Sequence, residues 1–365
     1  MFQLRAFQKQ AIEALEDPIH LIVQAPTGSG KSFIFQESTR RFGFRTILFS
    51  PLIALSRQQG ERARALGIPT WVQAGGQSDP PPKKATDPVG LWILSPEILN
   101  LPRNSKMIRA INQWQPDLLV MDECHCLWEW GESFRPAFQK IPKLLFETHI
   151  PRSVWLTATL SPTAHKHLKD QLPRNQKSIG QFQLPKNLSL QELKIPLLDR
   201  IQMIHRLIQK EDSFGMIFTQ TRDRSEWLWK LFSSDQLMGF YHAGMSKEER
   251  KNMEAQIRQK KTRWIIATSA FGLGMDFSHF QTCIIFECPA SMTSLAQFLG
   301  RVGRGDQKGK GYFFWENQDF IRLRSLVKTQ HQKEELKKTF QILNRDESFQ
   351  KRIYRYFHQT MDQGQ

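Results

Sequence analysis

The residues best suited to chemistry stand in two short stretches. Ala25-Pro-Thr-Gly-Ser-Gly-Lys-Ser32 follows the apolar run Leu21-Ile22-Val23. A β-branched run feeding a glycine-rich turn that ends in Lys-Ser is the pattern of a phosphate-binding loop between a strand and a helix. Thr27, Gly28, Ser29 and Gly30 would form the turn, because glycine lets successive backbone N–H groups close around phosphate oxygens. Lys31 would reach the β- and γ-phosphates of a nucleotide, and the Ser32 hydroxyl would ligate Mg²⁺. Ala25 stands where the pattern usually begins with glycine, a mild departure that leaves the tight part of the turn intact. The second stretch, Leu118-Leu-Val-Met-Asp-Glu-Cys-His125, ends an apolar strand in two carboxylates. The carboxyl edge of an α/β sheet is where ligands bind. Asp122 would hold Mg²⁺ there, and Glu123 would orient and deprotonate an attacking water. Taken singly, each stretch also fits a bland reading: a plain strand–turn–helix connection, or a solvated acidic pair.

The elements that must position these residues follow from apolar runs and helical periodicity. Strands are expected at Leu21–Val23, Thr46–Ser50, Leu91–Leu94, Leu118–Met121 and Val154–Leu156, with helices such as Phe33–Arg41 and Leu52–Leu66 between them. Buried parallel strands alternating with helices define an α/β domain. The Pro-, Asn- and Lys-rich passage Leu172–Pro196 reads as a linker, after which the alternation resumes. Helices are expected at Arg200–Gln209 and Ser225–Phe232, and strands at Gly215–Phe218, Trp264–Ala267 and Cys283–Phe286. The expected organisation is two tandem α/β domains, 1–185 and 186–318, followed by a short basic helical segment, 319–365.

A chain of 365 residues can bury two such cores. Its net charge of +16 favours a polyanionic partner, nucleic acid ahead of an acidic membrane surface. No apolar stretch is long enough to cross a bilayer, and the first residues lack the layout of a signal peptide, so a cytoplasmic location is expected. The four cysteines, Cys124, Cys126, Cys283 and Cys288, are too scattered for a disulfide framework or paired zinc knuckles and read as buried thiols.

In sequence the chain resembles superfamily 2 helicases, and the RecQ family within them. The phosphate loop and Asp122-Glu-Cys-His125 look like motifs I and II, with Cys124 replacing the more common alanine. Cys126-Leu-Trp-Glu-Trp-Gly-Glu-Ser-Phe-Arg-Pro136 resembles the RecQ aromatic-rich loop, which senses single-stranded DNA and couples it to hydrolysis. The resemblance implies that Trp128, Trp130, Phe134 and Arg135 offer stacking faces and a phosphate-binding cation, although an aromatic core cluster is the competing reading. Leu4-Arg-Ala-Phe-Gln8 resembles the nucleotide-recognition motif, with Gln8 reading adenine and Arg5 stacking on it. Ser50-Pro-Leu-Ile-Ala-Leu-Ser-Arg-Gln-Gln59 and Leu94-Ser-Pro-Glu-Ile-Leu99 resemble strand-tracking motifs, implying Ser50, Pro51, Gln58 and Pro96 as nucleic-acid contacts. Leu156-Thr-Ala-Thr-Leu160 looks like motif III.

The second half supplies the remaining matches in family order. Phe218-Thr-Gln-Thr-Arg222, Tyr241-His-Ala-Gly-Met-Ser246 and Ala267-Thr-Ser-Ala-Phe-Gly-Leu-Gly-Met-Asp276 imply Thr219, Arg222, His242 and Thr268 at the strand, and Gly274 and Asp276 at the nucleotide. Gln297-Phe-Leu-Gly-Arg-Val-Gly-Arg304 resembles motif VI, implying catalytic roles for Gln297, Arg301 and Arg304 beside Lys31, Asp122, Glu123 and His125. Two arginines three apart are expected to share one helical face and reach the γ-phosphoryl group. Phe298 and Asp276 depart from the RecQ pattern, which usually has Glu and Asn. The cysteine-rich zinc element and a winged-helix module are lacking after motif VI, so the resemblance covers a minimal core, about Met1–Trp315. It implies two RecA-like domains with parallel sheets, ATP and Mg²⁺ as cofactors, a DNA partner as single strand or tailed duplex, 3′-to-5′ movement with unwinding in repair or recombination, and a monomer. A nucleic-acid-stimulated ATPase or translocase directed at DNA or RNA, and an ATP switch that does not separate strands, are the competing readings.

Overall fold

A computed structural model describes residues 3–74, 77–78, 88–100, 104–129, 135–210, 213–232, 238–271, 277 and 279–358. The chain divides into two compact units, one of residues 1–183 and 357–365, the other of 184–356.

In the first unit the strands are β1 (His20–Gln24), β2 (Arg45–Phe49), β3 (Thr70–Ala74), β4 (Gln77–Ser78), β5 (Gly90–Leu94), β6 (Leu118–Met121), β7 (Arg152–Thr157) and β8 (Gln176–Gly180). They form one sheet in the order β4-β3-β5-β2-β6-β7-β1-β8. All neighbours run parallel except β4, which returns antiparallel on β3. Successive strand residues face opposite sides. Leu21 and Val23 therefore join one buried cluster with Leu48, Ile93 and Val120, while Ile22 joins the other with Ile47, Trp92 and Leu119. A sheet covered on both faces needs apolar residues at every position, which is why its central strands read as continuous runs.

The second unit is built on β9 (Leu188–Lys194), β10 (Phe214–Phe218), β11 (Met238–Tyr241), β12 (Trp264–Ala267), β13 (Phe280–Ile285) and β14 (Gly309–Trp315), in the parallel order β11-β12-β10-β13-β14-β9. At Gly215 a Cβ would lie 2.2 Å from the Trp264 ring, so only glycine lets β10 pass beneath that indole.

The passage expected as a linker carries structure. β8 pairs with β1, and β9 pairs with β14, each closing an edge of its own sheet. Both are edge strands with mixed exposure, which explains their polar composition.

The basic C-terminal segment folds as the helices Asn317–Leu326, Gln330–Leu343 and Phe349–His358. Phe349 stacks on Phe313 of β14 at 5.2 Å, and the buried Arg352 pairs with Glu192 of β9. The segment covers its sheet edge with one face, while Lys328, Lys333, Lys337 and Lys351 stay exposed. Arg200 joins the first of these helices to the sheet. Wholly buried, it donates to the carbonyls of Ile195 and Phe286 at 3.0 Å each and meets Asp319 at 3.1 Å.

Candidate active site

Three neighbouring strands of the first sheet bring the chemistry to one edge. The phosphate loop leaves the carboxyl end of β1, Asp122 and Glu123 leave β6, and Thr157 closes β7 between them. The Ala25 N–H donates to the Thr157 carbonyl at 3.0 Å, and the Cys124 N–H donates to the Leu156 carbonyl at 2.9 Å. Those two bonds tie the loop and the acidic pair to the same strand.

The loop itself is a concave backbone turn. Gly28 and Gly30 have φ of 74° and 80°, left-handed values that favour glycine. The Ser29 N–H donates to the Pro26 carbonyl at 3.1 Å, and the helix Ser32–Phe42 begins directly afterwards. Lys31 is buried, and its Nζ donates to the carbonyls of Ala25 and Pro26 at 3.0 and 3.2 Å. Gln8 packs under the loop: its Nε2 donates to the Gly30 carbonyl at 2.8 Å, while its Oε1 accepts from the Arg5 N–H at 2.9 Å. In this arrangement Gln8 braces the phosphate loop, and Arg5 is exposed beside it.

Asp122 is buried, and its Oδ1 accepts from the Glu123 N–H at 3.0 Å. Burial and the adjacent Glu123 carboxylate push its pKa up to about 7, with Lys31 pulling the other way. A buried carboxylate held so reluctantly as an anion suits a neighbouring cation, and oxygen donors such as a carboxylate and a hydroxyl are of the kind Mg²⁺ prefers. Among the described residues no cluster of three His, Cys, Asp or Glu side chains competes as a metal site. Glu123 has φ of 50°, a left-handed value rare for a residue with a side chain. Such strain collects at functional sites, where surrounding bonds hold it in place.

His125 ties the acidic pair to β7. Its Nδ1 lies 3.0 Å from Thr157 Oγ1 and 3.3 Å from Glu123 Oε2, and its Nε2 lies 3.9 Å from Glu129 Oε2. Thr157 Oγ1 donates to the Thr159 carbonyl at 2.9 Å and accepts from the Thr159 N–H at 3.1 Å, so its remaining lone pair accepts a hydrogen bond from the His125 Nδ1–H. Burial lowers the His125 pKa, but the Cys126 sulfur and the Glu123 and Glu129 carboxylates outweigh it, leaving the value well above the ordinary one. Thr157 is one of the motif III hydroxyls, whereas Glu129 lies inside the aromatic-rich stretch with no role expected there.

The aromatic-rich stretch differs from expectation at Trp128. That side chain is 9% exposed and belongs to the hydrophobic core with Leu127, Phe138 and Ile141. The one-turn helix Cys126–Glu129 points it inward, so it offers no stacking face here. Trp130 and Phe134 lie outside the described residues. Arg135 is held by Glu97 and by the Pro51 carbonyl, with its guanidinium 4.7 Å over the Phe138 ring. It thereby joins the ends of three loops, but Ser50, Pro51 and Pro96 are themselves buried. Gln58 is half-buried on the helix Ile53–Ala65, which opens after that loop.

In the second unit Thr219 is buried at the end of β10, and Thr268 is buried after β12 with its N–H on the Tyr241 carbonyl at 3.2 Å. His242 is buried as well. Its Nδ1 accepts from the Gly244 N–H at 3.2 Å and its Nε2 meets Glu226 at 2.9 Å, so it shapes the turn that follows β11. Arg222 is exposed at the start of the helix Arg222–Phe232, against Gly244. Gly274 and Asp276 lie outside the described residues. The expected shared helical face for Arg301 and Arg304 is corrected. The helix Met292–Leu299 carries half-buried Gln297 but ends at Gly300, and both arginines stand in the turn beyond it. Gly303 has φ of 73°, and a Cβ at Gly309 would lie 2.4 Å from its nitrogen, so a close, left-handed turn replaces another helical turn. Phe298 stacks on Phe218 at 4.2 Å, which makes it a core residue where a RecQ pattern has Glu.

Comparison with known proteins agrees with this architecture. Residues 5–167 match the family model for DEAD/DEAH box helicases, and residues 199–306 match that for the helicase conserved C-terminal domain. The two matches fall in tandem on the two units, which have the RecA-like α/β fold with helices at the C-terminal end. Its relatives over most of its length are RecQ-type DNA helicases. It is 28% identical over 366 residues to the ATP-dependent DNA helicase RecQ of Bacillus subtilis, covering 94% of this chain and 61% of that protein. The ATP-dependent DNA helicase RecQ of Haemophilus influenzae is 27% identical, covering 88% and 53%. The chain therefore spans little more than half of the length of these relatives. Among solved structures it resembles S. cerevisiae Dbp5 bound to RNA and ADP BeF3, with a TM-score of 0.67 at 17% identity over 93% of this chain and 98% of that one. It also resembles the DUF1998 helicase MrfA bound to DNA and AMPPNP, with a TM-score of 0.68 at 18% identity over 88% and 50%. At those identities the likeness establishes the fold. Among the described residues no helix is long and apolar enough to cross a membrane.

Proposed function

We propose that this chain is the motor core of an ATP-dependent DNA helicase of RecQ type, moving 3′-to-5′ on a single strand and separating duplex in repair or recombination. The observation that carries the reading is the single sheet edge on which the phosphate loop, the Asp122–Glu123 pair and Thr157 meet. Gly28, Gly30 and Lys31 would bind the nucleotide phosphates, with Thr27 and Ser29 in the same turn, and Gln8 would hold the loop in shape. Ser32 and Asp122 would hold Mg²⁺, which when bound neutralises phosphate charge. Glu123, strained at the strand end, would take a proton from the attacking water, and His125 would fix the orientation of Glu123. Gln297, Arg301 and Arg304 are proposed to act on the γ-phosphoryl group, Gly274 and Asp276 to support the nucleotide, and Arg135, Arg222 and the loop ends at Ser50, Pro51 and Pro96 to serve the strand.

The test is ATP hydrolysis measured with single-stranded DNA, single-stranded RNA or neither, followed by strand displacement on tailed duplexes of both polarities. DNA-stimulated hydrolysis that vanishes in Lys31→Ala, with displacement from a 3′ tail, is the expected result. Hydrolysis without displacement on any duplex would leave a translocase or ATP switch. Hydrolysis that survives Lys31→Ala would overturn the site.

A further inference from the structure

We propose that Gln59 is a positioning residue for the Ser32 hydroxyl, an inference that rests on the nucleotide-site reading above. Its carboxamide lies between two side chains of one neighbouring helix. Gln59 Nε2 donates to Ser32 Oγ at 2.8 Å, and Gln59 Oε1 accepts from Gln36 Nε2 at 3.2 Å. Ser32 and Gln36 stand four apart on the helix Ser32–Phe42, so they share a face and the three side chains close one network. Gln59 and Gln36 are both buried, which makes their polar partners obligatory.

The direction of the bond matters. A serine hydroxyl has one proton and two lone pairs. The Gln59 N–H occupies one lone pair, which leaves the other for a cation and turns the proton aside. A hydroxyl without such a partner rotates among staggered wells, and a metal bond must then fix it. Gln59 fixes it in advance.

Gln59 is itself firmly seated. At the next residue, Gly60, a Cβ would lie 2.8 Å from Val72 Cγ2, so the helix Ile53–Ala65 sits directly against β3. Val72 is β-branched and stiff at χ1, which resists any shift of that helix. The same helix begins just after Pro51, whose carbonyl receives Arg135. The residue that orients the metal ligand thus stands on the element that opens at the proposed strand-binding edge.

The experiment titrates a fluorescent ADP analogue against the full chain in Mg²⁺ and in EDTA. Gln59→Leu is expected to weaken binding about 5–10-fold in Mg²⁺, the size of one hydrogen bond, and less than about twofold in EDTA. Ser32→Ala should show the same pattern, and the double variant should bind no more weakly than Ser32→Ala alone. Gln59→Met, unbranched and of similar volume, replaces Gln59→Leu if the latter melts below the assay temperature. Equal losses in Mg²⁺ and EDTA, or additive losses in the double variant, would overturn the inference and make Gln59 a packing residue. A wild-type chain whose ADP affinity ignores Mg²⁺ would overturn Ser32 as a metal ligand and the inference with it, whereas one that does not bind the analogue at all would overturn the nucleotide site itself.

Discussion

The two units bury charge for different ends. In the second, Arg200 is wholly enclosed among opposite charges: it donates to two carbonyls and lies 3.1 Å from Asp319 and 3.4 Å from Glu316, with only its Nη2 lacking a hydrogen bond. Asp319 in turn accepts from the N–H groups of Cys288 and Glu316 at 3.2 and 3.1 Å. In the first, Lys31 donates to two backbone carbonyls, and burial and the second carboxylate push Asp122 up to about 7 against the pull of Lys31. Desolvation is costly in both places. Where neighbouring charges and dipoles compensate it, the group holds the fold together. Where like charge aggravates it, the group is poised for an incoming ligand.

Removing a charge from each place should therefore have opposite consequences. Glu123→Gln is expected to lower the ATP turnover number by about 10²–10⁴-fold, as loss of a general base does. Its melting temperature should hold or rise, since the change relieves the repulsion on Asp122. Phosphate release and a thermal melt on the same preparation decide this; a destabilised Glu123→Gln would break the contrast. Asp319→Ala should do the reverse and cost about 3–5 kcal/mol in urea unfolding of the second unit, because it strands Arg200. Binding of ADP to the first unit should survive in Asp319→Ala at temperatures where the chain remains folded.

The smallest effect concerns pH. His125 binds its proton more tightly in the folded chain than in the unfolded one, where its pKa is about 6.5. The resulting stability is full below that value and is lost as pH rises from there through the raised folded value. Denaturation midpoints of the first unit should fall across that window. Glu129→Gln removes one of the carboxylates that raise His125 and should flatten the fall by about 1 kcal/mol or less. An unchanged slope would assign the pH dependence to another group.

Much of this was legible beforehand because it is local. A short continuous apolar run such as Leu118–Met121 reads as a strand covered on both faces, and its end then carries Asp122 to the sheet edge. The glycines of the phosphate loop announce a turn for the same reason: φ near 74° at Gly28 excludes most other residues. The edge strands β8 and β9 escaped notice because half-exposed edges carry the polar composition of a linker. Trp128 misled for a related reason. Glu129, Gly131 and Glu132 follow it and break any regular apolar face, yet a single helical turn suffices to bury it. Arg301 and Arg304 have helical spacing, but the helix ends at Gly300 and the left-handed Gly303 turns the chain between them.

The sequence by itself determined two α/β units, the phosphate loop and the acidic pair, since each is written in adjacent residues whose backbone preferences and polarity act over a few bonds. Tertiary structure alone decided which strands lie side by side, so that Thr157 meets His125 across a separation of 32 residues and Gln59 meets Ser32 across 27. It also decided which aromatics and charges are enclosed. Burial depends on what the rest of the chain packs against a side chain, and no local spacing encodes that.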